Sequence, residues 1–201
     1  MAILIALLGV AIVVVAVVFI RPSIGQAKGG RIVLLLALFV LPVLVFVFGA
    51  TTHLENSKQT NFCLSCHAMK PYGETLKIDD QAFIPAVHSQ NHLIPSDKAC
   101  YTCHTTYTMF GGVKVKLQGL RHFFIQYLGK PPEQIELYEP FNNRECLHCH
   151  GEARSFLEDP IHEATLVDLE SNELSCTECH YLFHEVAELA SQKLWDRGEE
   201  E

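Results

Sequence analysis

Residues 61–71 read NFCLSCHAMKP, and this stretch decides what kind of fold the rest of the chain can make. Cys63 and Cys66, with His67 directly behind them, form the C-x-x-C-H pattern of c-type haem attachment: two thiols for thioether bonds and an imidazole for the iron. On one helical turn residues i and i+3 point the same way. Both sulphurs then reach the vinyl groups of one porphyrin, and the next residue's imidazole lies over the iron. The pattern recurs as CYTCH (Cys100, Cys103, His104), CLHCH (Cys146, Cys149, His150) and CTECH (Cys176, Cys179, His180). These four motifs, numbered 1–4 in chain order, use all eight cysteines of the 201-residue chain. A zinc site would take two C-x-x-C pairs with no need of a histidine after each. Disulfides, the other use of cysteine in an exported domain, would close four tight, strained loops. Four covalently bound haem c groups are the expectation. Such a domain uses its macrocycles as much of its apolar core, which implies short helices around the motifs, long loops and no sizeable sheet.

Upstream of motif 1, Ala2 to Ile20 and Ile32 to Ala50 carry no charge. As helices each is ~28 Å long, close to the ~30 Å hydrocarbon core of a bilayer. Pro42 and Gly49 lie inside the second run, which a membrane helix tolerates when the freed carbonyl finds another partner. A cleaved signal peptide is the alternative for the first run, but it lacks a basic start and a small-x-small cleavage site. Arg21, Lys28 and Arg31 separate the runs, and the positive-inside rule puts that short loop in the cytoplasm. The expected fold is mainly α. A transmembrane helical hairpin (about 2–20 and 32–50) occupies residues 1–50, and a compact tetrahaem domain occupies residues 51–201 on the periplasmic side of a multi-pass inner-membrane protein. The net charge of −8 and the acidic RGEEE end argue against a nucleic-acid partner.

Four irons take eight axial ligands, and the motif histidines His67, His104, His150 and His180 supply four. Among the others, one of His88 and His92, together with His162 and His184, are the candidate distal ligands. His148 lies inside a motif and His53 at the membrane exit, so neither is expected to ligate. His184 follows His180 by four residues, so on a continuing helix both project from one side. It therefore suits a neighbouring haem better than its own. Met69 is too close along the chain to straddle a macrocycle opposite His67. It either competes with His67 for one face, raising the potential of that haem through a thioether bond, or has no role on the iron.

At this point the chain resembles the NapC/NirT/NrfH family of membrane-anchored tetrahaem cytochromes. The likeness runs from about Ile32 to His184 and is carried by CLSCHAMKP, HSQNH ahead of CYTCH, LQGLRHFFIQYLG and CTECHYLFH. The resemblance implies quinol oxidation, menaquinol by analogy, with electrons passed to an extracytoplasmic reductase or another cytochrome c in anaerobic respiration. It also implies that Met69 takes the proximal position of the first haem, with His67 left off the iron. His184 and His162 match family histidines after motif 4 and between motifs 3 and 4, and His88 or His92 matches one ahead of motif 2. Three departures stand out. A second membrane run precedes the usual one, His184 is one residue closer to its motif, and His122 stands where relatives carry an aspartate beside the first haem.

Motif 1 opens soon after Ala50, so the first haem is expected near the bilayer face. Val113, Leu117, Leu120, Phe124 and Leu128 recur at helical spacing between Gly112 and Gly129, with Lys114, Gln118 and Arg121 on the opposite stripe. This reads as an amphipathic helix packing on haem or lying at the interface. A quinol site needs an apolar slot, a nearby electron acceptor and proton acceptors. His122 is the natural base, and Lys114 or Lys116, with Arg121 alongside, would hold a quinol oxygen. Asp79, Asp80 and Glu74 are weaker alternatives. The rival reading is an electron-relay subunit without its own quinone site, docked to a membrane partner through Ala2–Ile20.

Overall fold

The computed structural model describes residues 2–130 and 139–196, together with 132, 135 and 137 of the intervening segment. It is mainly helical, and among the described residues the β-structure is a single antiparallel bridge, Ile78 to Leu194. The chain divides into two compact units, Met1–Ser57 and Lys58–Glu201.

In the first unit α1 (Ala2–Ile20) is apolar throughout. A short α2 (Pro22–Gln26) turns the chain, and α3 (Lys28–Leu35), a π-helical turn (Leu36–Val40) and α4 (Leu41–Asn56) follow. From Gly29 to Asn56 this is one helix, long and apolar enough to cross a membrane. The π-turn has a cause. Pro42 has no N–H and its ring crowds the carbonyl four residues back. A wider turn, in which the Leu41 N–H reaches Leu36 O, absorbs the mismatch without leaving the carbonyls bare. Phe19, Ile20, Phe46 and Phe39 expose most of their surface, an inside-out arrangement that suits lipid rather than water.

The second unit threads short helices between its motifs: α5 (Thr60–Leu64), α6 (Lys70–Glu74), α7 (Ile84–Gln90), α8 (Ala99–Cys103), α9 (Gly111–Leu128), α10 (Arg144–His150), α11 (Arg154–Leu157), α12 (Pro160–Ser171) and α13 (Cys176–Cys179). Caps fix where the later ones begin. Asp159 accepts hydrogen bonds from the amides of Ile161 and His162, with Pro160 in the first turn. Ser175 and Glu178 make a capping box that starts α13 at Cys176. Among the described residues the side-chain core is small: Ile78, Phe83 and Ala86, with Leu182 and Leu189 against them, and Ala99, Phe156 and Leu169 buried besides. For a unit of this length that is far less than a stable fold usually buries, so side chains alone leave its apolar demand unmet.

A C-terminal strap completes the unit. Ile84 N–H bonds to Leu182 O (2.9 Å), Asp79 N–H to Lys193 O (2.8 Å) and Trp195 N–H to Lys77 O (2.6 Å). The strap carries His184 across Tyr72 and Thr75.

Candidate functional site

Each motif sits on its own short helix. In motifs 2 and 4 the histidine amide closes the turn onto the first cysteine carbonyl, His104 N–H to Cys100 O (2.8 Å) and His180 N–H to Cys176 O (2.9 Å). Motif 3 lies wholly within α10. Motif 1 departs from this pattern. Helix α5 ends at Leu64, Cys66 is extended (φ −79°, ψ 127°), and His67–Met69 forms a separate 3-10 turn. His67 is exposed, as are the other three motif histidines, while Met69 is half-buried.

The motifs come together in twos. The Cys63 and Cys100 thiols hydrogen-bond to one another, as do those of Cys146 and Cys176. The Cys100 contact, helped by the nearby Lys116 charge, pulls the Cys63 thiol down to about 7. The Cys146 contact does the same to Cys176, again to about 7. The partners Cys100 and Cys146 are pushed up, first by donating those bonds and then by burial. Cys103 and Cys149, the second cysteines of motifs 2 and 3, are close enough for the charge of one to raise the other. No disulfide joins any two of the eight cysteines. Among the described residues no group of three or more His, Cys, Asp or Glu side chains gathers as a metal-ion cluster, so the C-x-x-C pairs do not assemble into a four-cysteine zinc site.

The histidines also pair. The His104 and His184 rings are nearly parallel with centres 6.1 Å apart, His150 meets His88 at 5.8 Å, and His180 meets His162 at 6.2 Å. Two metal–nitrogen bonds of ~2 Å, with about 1.1 Å from each nitrogen to its ring centre, separate trans imidazole centres by about 6 Å. Each non-motif partner is also held by its Nδ1. A carbonyl oxygen only accepts, so His88 donates from Nδ1 to Ile84 O (2.8 Å) and His162 from Nδ1 to Phe156 O (3.3 Å). Thr75 donates its hydroxyl to Tyr72 O (2.6 Å) and accepts from His184 Nδ1 (2.6 Å). In all three the proton is fixed on Nδ1 and the Nε2 lone pair is left for a metal, the outer-shell arrangement of ligating histidines. Burial, with His104 nearby, drives His184 down to about 4. Burial also lowers His104 and, with His88 and His180 adding to it, His150. Fixed Nδ1 tautomers on His88, His162 and His184 and this spacing fit an iron between each pair.

The remaining sequence candidates are distributed as follows. His92 has positive φ (54°) and is exposed, which leaves His88 as the one of that pair beside a motif histidine. His148 stacks on Tyr107 with ring centres 3.8 Å apart, bridging motif 3 to the loop after motif 2, where the Tyr107 amide also donates to Glu145 (3.0 Å). His53 is exposed on α4. Asp79 pairs with Lys193, Glu74 with Lys77 (3.4 Å), and Asp80 caps the Ala82 amide (2.9 Å).

Helix α9 forms where its periodicity predicts. Val113, Leu117, Leu120, Phe124 and Leu128 are each about half exposed or more. The shielded side is Gly111, Val115, Gln118, His122 and Ile125. Close backbone approach sets this rotation, since a Cβ on Gly111 would lie 1.6 Å from Thr106 O. The two lysines separate accordingly. Lys114 Nζ pairs with Glu139 Oε2 (2.6 Å), whereas Lys116 lies over the rings of Tyr101 (5.0 Å) and Phe62 (6.0 Å), beside motif 1. His122 is half-buried, and its imidazole is held below the ordinary histidine range by burial and by Arg121. Arg121 borders two open apolar grooves of about 420 and 520 Å³ along the exposed stripe.

A family model described as the NapC/NirT cytochrome c family, N-terminal region, matches residues 26–189. The chain belongs to that family. This NapC/NirT-family protein is therefore a membrane-anchored c-type cytochrome of electron transport that binds haem c covalently. It is also similar to the cytochrome c nitrite reductase subunit NrfH of Nitratidesulfovibrio vulgaris Hildenborough, with 26% identity over 130 residues, 63% of this chain and 67% of the relative. No solved structure matches the chain.

Thr60, Thr75, Tyr107 and Asn143, which organise this site, were not among the sequence candidates. A shared offset was the available signal: Thr60 and Asn143 each stand three residues before the first cysteine of a motif.

Proposed function

We propose that this chain is a tetrahaem quinol dehydrogenase that draws electrons from menaquinol and delivers them to an extracytoplasmic reductase or another cytochrome c. The observation that carries this reading is the set of three Nδ1-anchored imidazole pairs. They support His104 with His184, His150 with His88, and His180 with His162 as axial ligands of the haems at motifs 2, 3 and 4. Met69, half-buried after the break at Cys66, is the axial ligand at motif 1. Haem supplies the one-electron chemistry.

The chain's own residues handle the quinol. Lys116, beside motif 1 on the rings of Phe62 and Tyr101, holds a quinol oxygen. Lys114 is already committed to Glu139. His122, on the shielded side of the same helix and kept neutral by burial and Arg121, accepts a proton. The exposed apolar stripe of α9 takes the isoprenoid tail. Arg21, Lys28 and Arg31 keep the α1–α4 turn cytoplasmic, so α1 and the Gly29–Asn56 helix both span the inner membrane and the haem domain is periplasmic.

The test is stopped-flow reduction of the oxidised protein in detergent by a menaquinol analogue. A positioned base contributes about 100-fold or more, so His122→Ala is expected to slow haem reduction by that order while dithionite reduction is unchanged. Lys116→Gln raises the quinol concentration needed. One feature favours the relay reading: α1 lies outside the family match. A wild-type protein that neither menaquinol nor ubiquinol reduces, but dithionite does, would establish it.

A further inference from the structure

Two buried polar side chains outside the motifs do equivalent work. Thr60 and Asn143 each stand three residues before the first cysteine of an odd-numbered motif, and both are buried (8% and 2% exposed). The Thr60 hydroxyl donates to Ser96 O (2.8 Å) and accepts from the amide of Ala99 (2.9 Å), the residue directly before Cys100. Asn143 Nδ2 donates to Leu174 O (2.6 Å) and Leu169 O (2.8 Å), and its Oδ1 accepts from the amide of Cys176 itself (2.8 Å). Each side chain thus ties the start of one motif helix to the chain entering the next. In both cases the first cysteines of the two joined motifs lie side by side. At the same offset before motifs 2 and 4 stand Asp97 and Glu173, both exposed. The structural repeat is therefore two motifs long, not one.

We infer that Thr60 and Asn143 are the positioning residues of two successive di-haem modules, motifs 1–2 and motifs 3–4, each setting the spacing of one haem pair. This rests on the four-haem reading. Neither residue touches iron, and each acts through the backbone that presents the cysteines. The Thr60 hydroxyl both donates and accepts, and the Asn143 amide uses both of its donors and its oxygen. Either side chain is therefore a fixed spacer rather than a swivel. Between the modules the links are of other kinds: the Tyr107–His148 stack and the crossed pairs His88–His150 and His104–His184.

The test uses the full chain in detergent, with haem per chain counted by the pyridine haemochrome assay and visible circular dichroism of the Soret band. Closely packed porphyrins give a two-signed Soret couplet that weakens as they separate. Thr60→Val keeps the volume and removes the hydroxyl; Thr60→Ser restores it. The modules are independent sites whose effects add, so Thr60→Val is expected to remove about half of the couplet at full haem content, and Asn143→Asp part of the other half. Thr60→Ser should match the wild type. A full-strength couplet in Thr60→Val with four haems, or equal loss in the Ser and Val variants, overturns the inference. Fewer than four haems in the unsubstituted protein overturns the four-haem reading, and the inference with it.

Discussion

Thr75→Val removes one oxygen from the centre of the fold and leaves the side-chain volume nearly unchanged. Thr75 is fully buried (0% exposed). Its hydroxyl accepts from His184 Nδ1 at 2.6 Å and donates to Tyr72 O at 2.6 Å. In the valine variant His184 keeps its packing but loses the acceptor that fixes its tautomer and raises its basicity toward the metal. Removing such an outer-shell partner weakens a metal–histidine bond about 10–100-fold, in line with about 1–3 kcal/mol for a buried donor left unpaired. Acid detaches the ligand by protonating Nε2, one proton per bond. A tenfold weaker bond therefore raises the pH midpoint of detachment by about one unit and a hundredfold weaker one by about two. The assay is acid titration of the ferric protein in detergent, following the low-spin to high-spin change in the visible spectrum. One transition should move up in pH by that amount in Thr75→Val and return to its wild-type position in Thr75→Ser. If every transition in the valine variant coincides with the wild type, Thr75 does not hold an iron ligand and the pairing of His184 with motif 2 is wrong.

Imidazole planes nearly perpendicular in His88–His150 (81°) and nearly parallel in His104–His184 (17°) should give two classes of low-spin ferric EPR signal, the first strongly anisotropic. His88→Ala is expected to abolish that class and His92→Ala to leave it intact, and the reverse result would exchange their roles. Because His122 sits below the ordinary histidine value of 6.5, the rate of reduction by quinol should rise with pH through a midpoint lower than that and be flat at neutrality. An acid limb at or above the ordinary value would remove His122 as the base. The exposed Asp79–Lys193 pair should contribute less than about 1 kcal/mol. Asp79→Asn is accordingly expected to leave both thermal unfolding and quinol reduction unchanged, and slowed reduction would return Asp79 to the candidate proton acceptors.

Features that depend on local covalent pattern were legible in the sequence. The four C-x-x-C-H motifs, the apolar runs and the helix over Gly111–Leu128 all declare themselves within a few residues. Choosing His88 over His92 was not possible from spacing, because the choice depends on where α7 ends. His88 still lies in the helix and bonds back to Ile84 O, while His92, two residues past its end, has left-handed φ. The occupant of the α9 stripe was not legible for a related reason. An apolar stripe shows that a face avoids water but not what covers it, and the contact of Gly111 with Thr106 O sets the rotation from outside the helix. The break in motif 1 at Cys66 was likewise invisible, since all four motifs share one local pattern. Thr60 and Asn143 were passed over because an isolated threonine or asparagine before a helix reads as a cap. Their actual partners lie near the next motif along the chain.

The crossed histidine pairs bear on how this chain is made. Motif 2 leaves the ribosome long before its partner His184, which comes after motif 4, and motif 3 draws on His88, which precedes motif 2. On the proposed ligation motif 2 cannot close its own metal environment until His184 has been made, so its ligand exchange follows completion of the chain. The C-terminal strap is then the latch of the whole assembly. A premature stop just past His180 would leave motif 4 and its partner His162 intact and harm motif 2 instead.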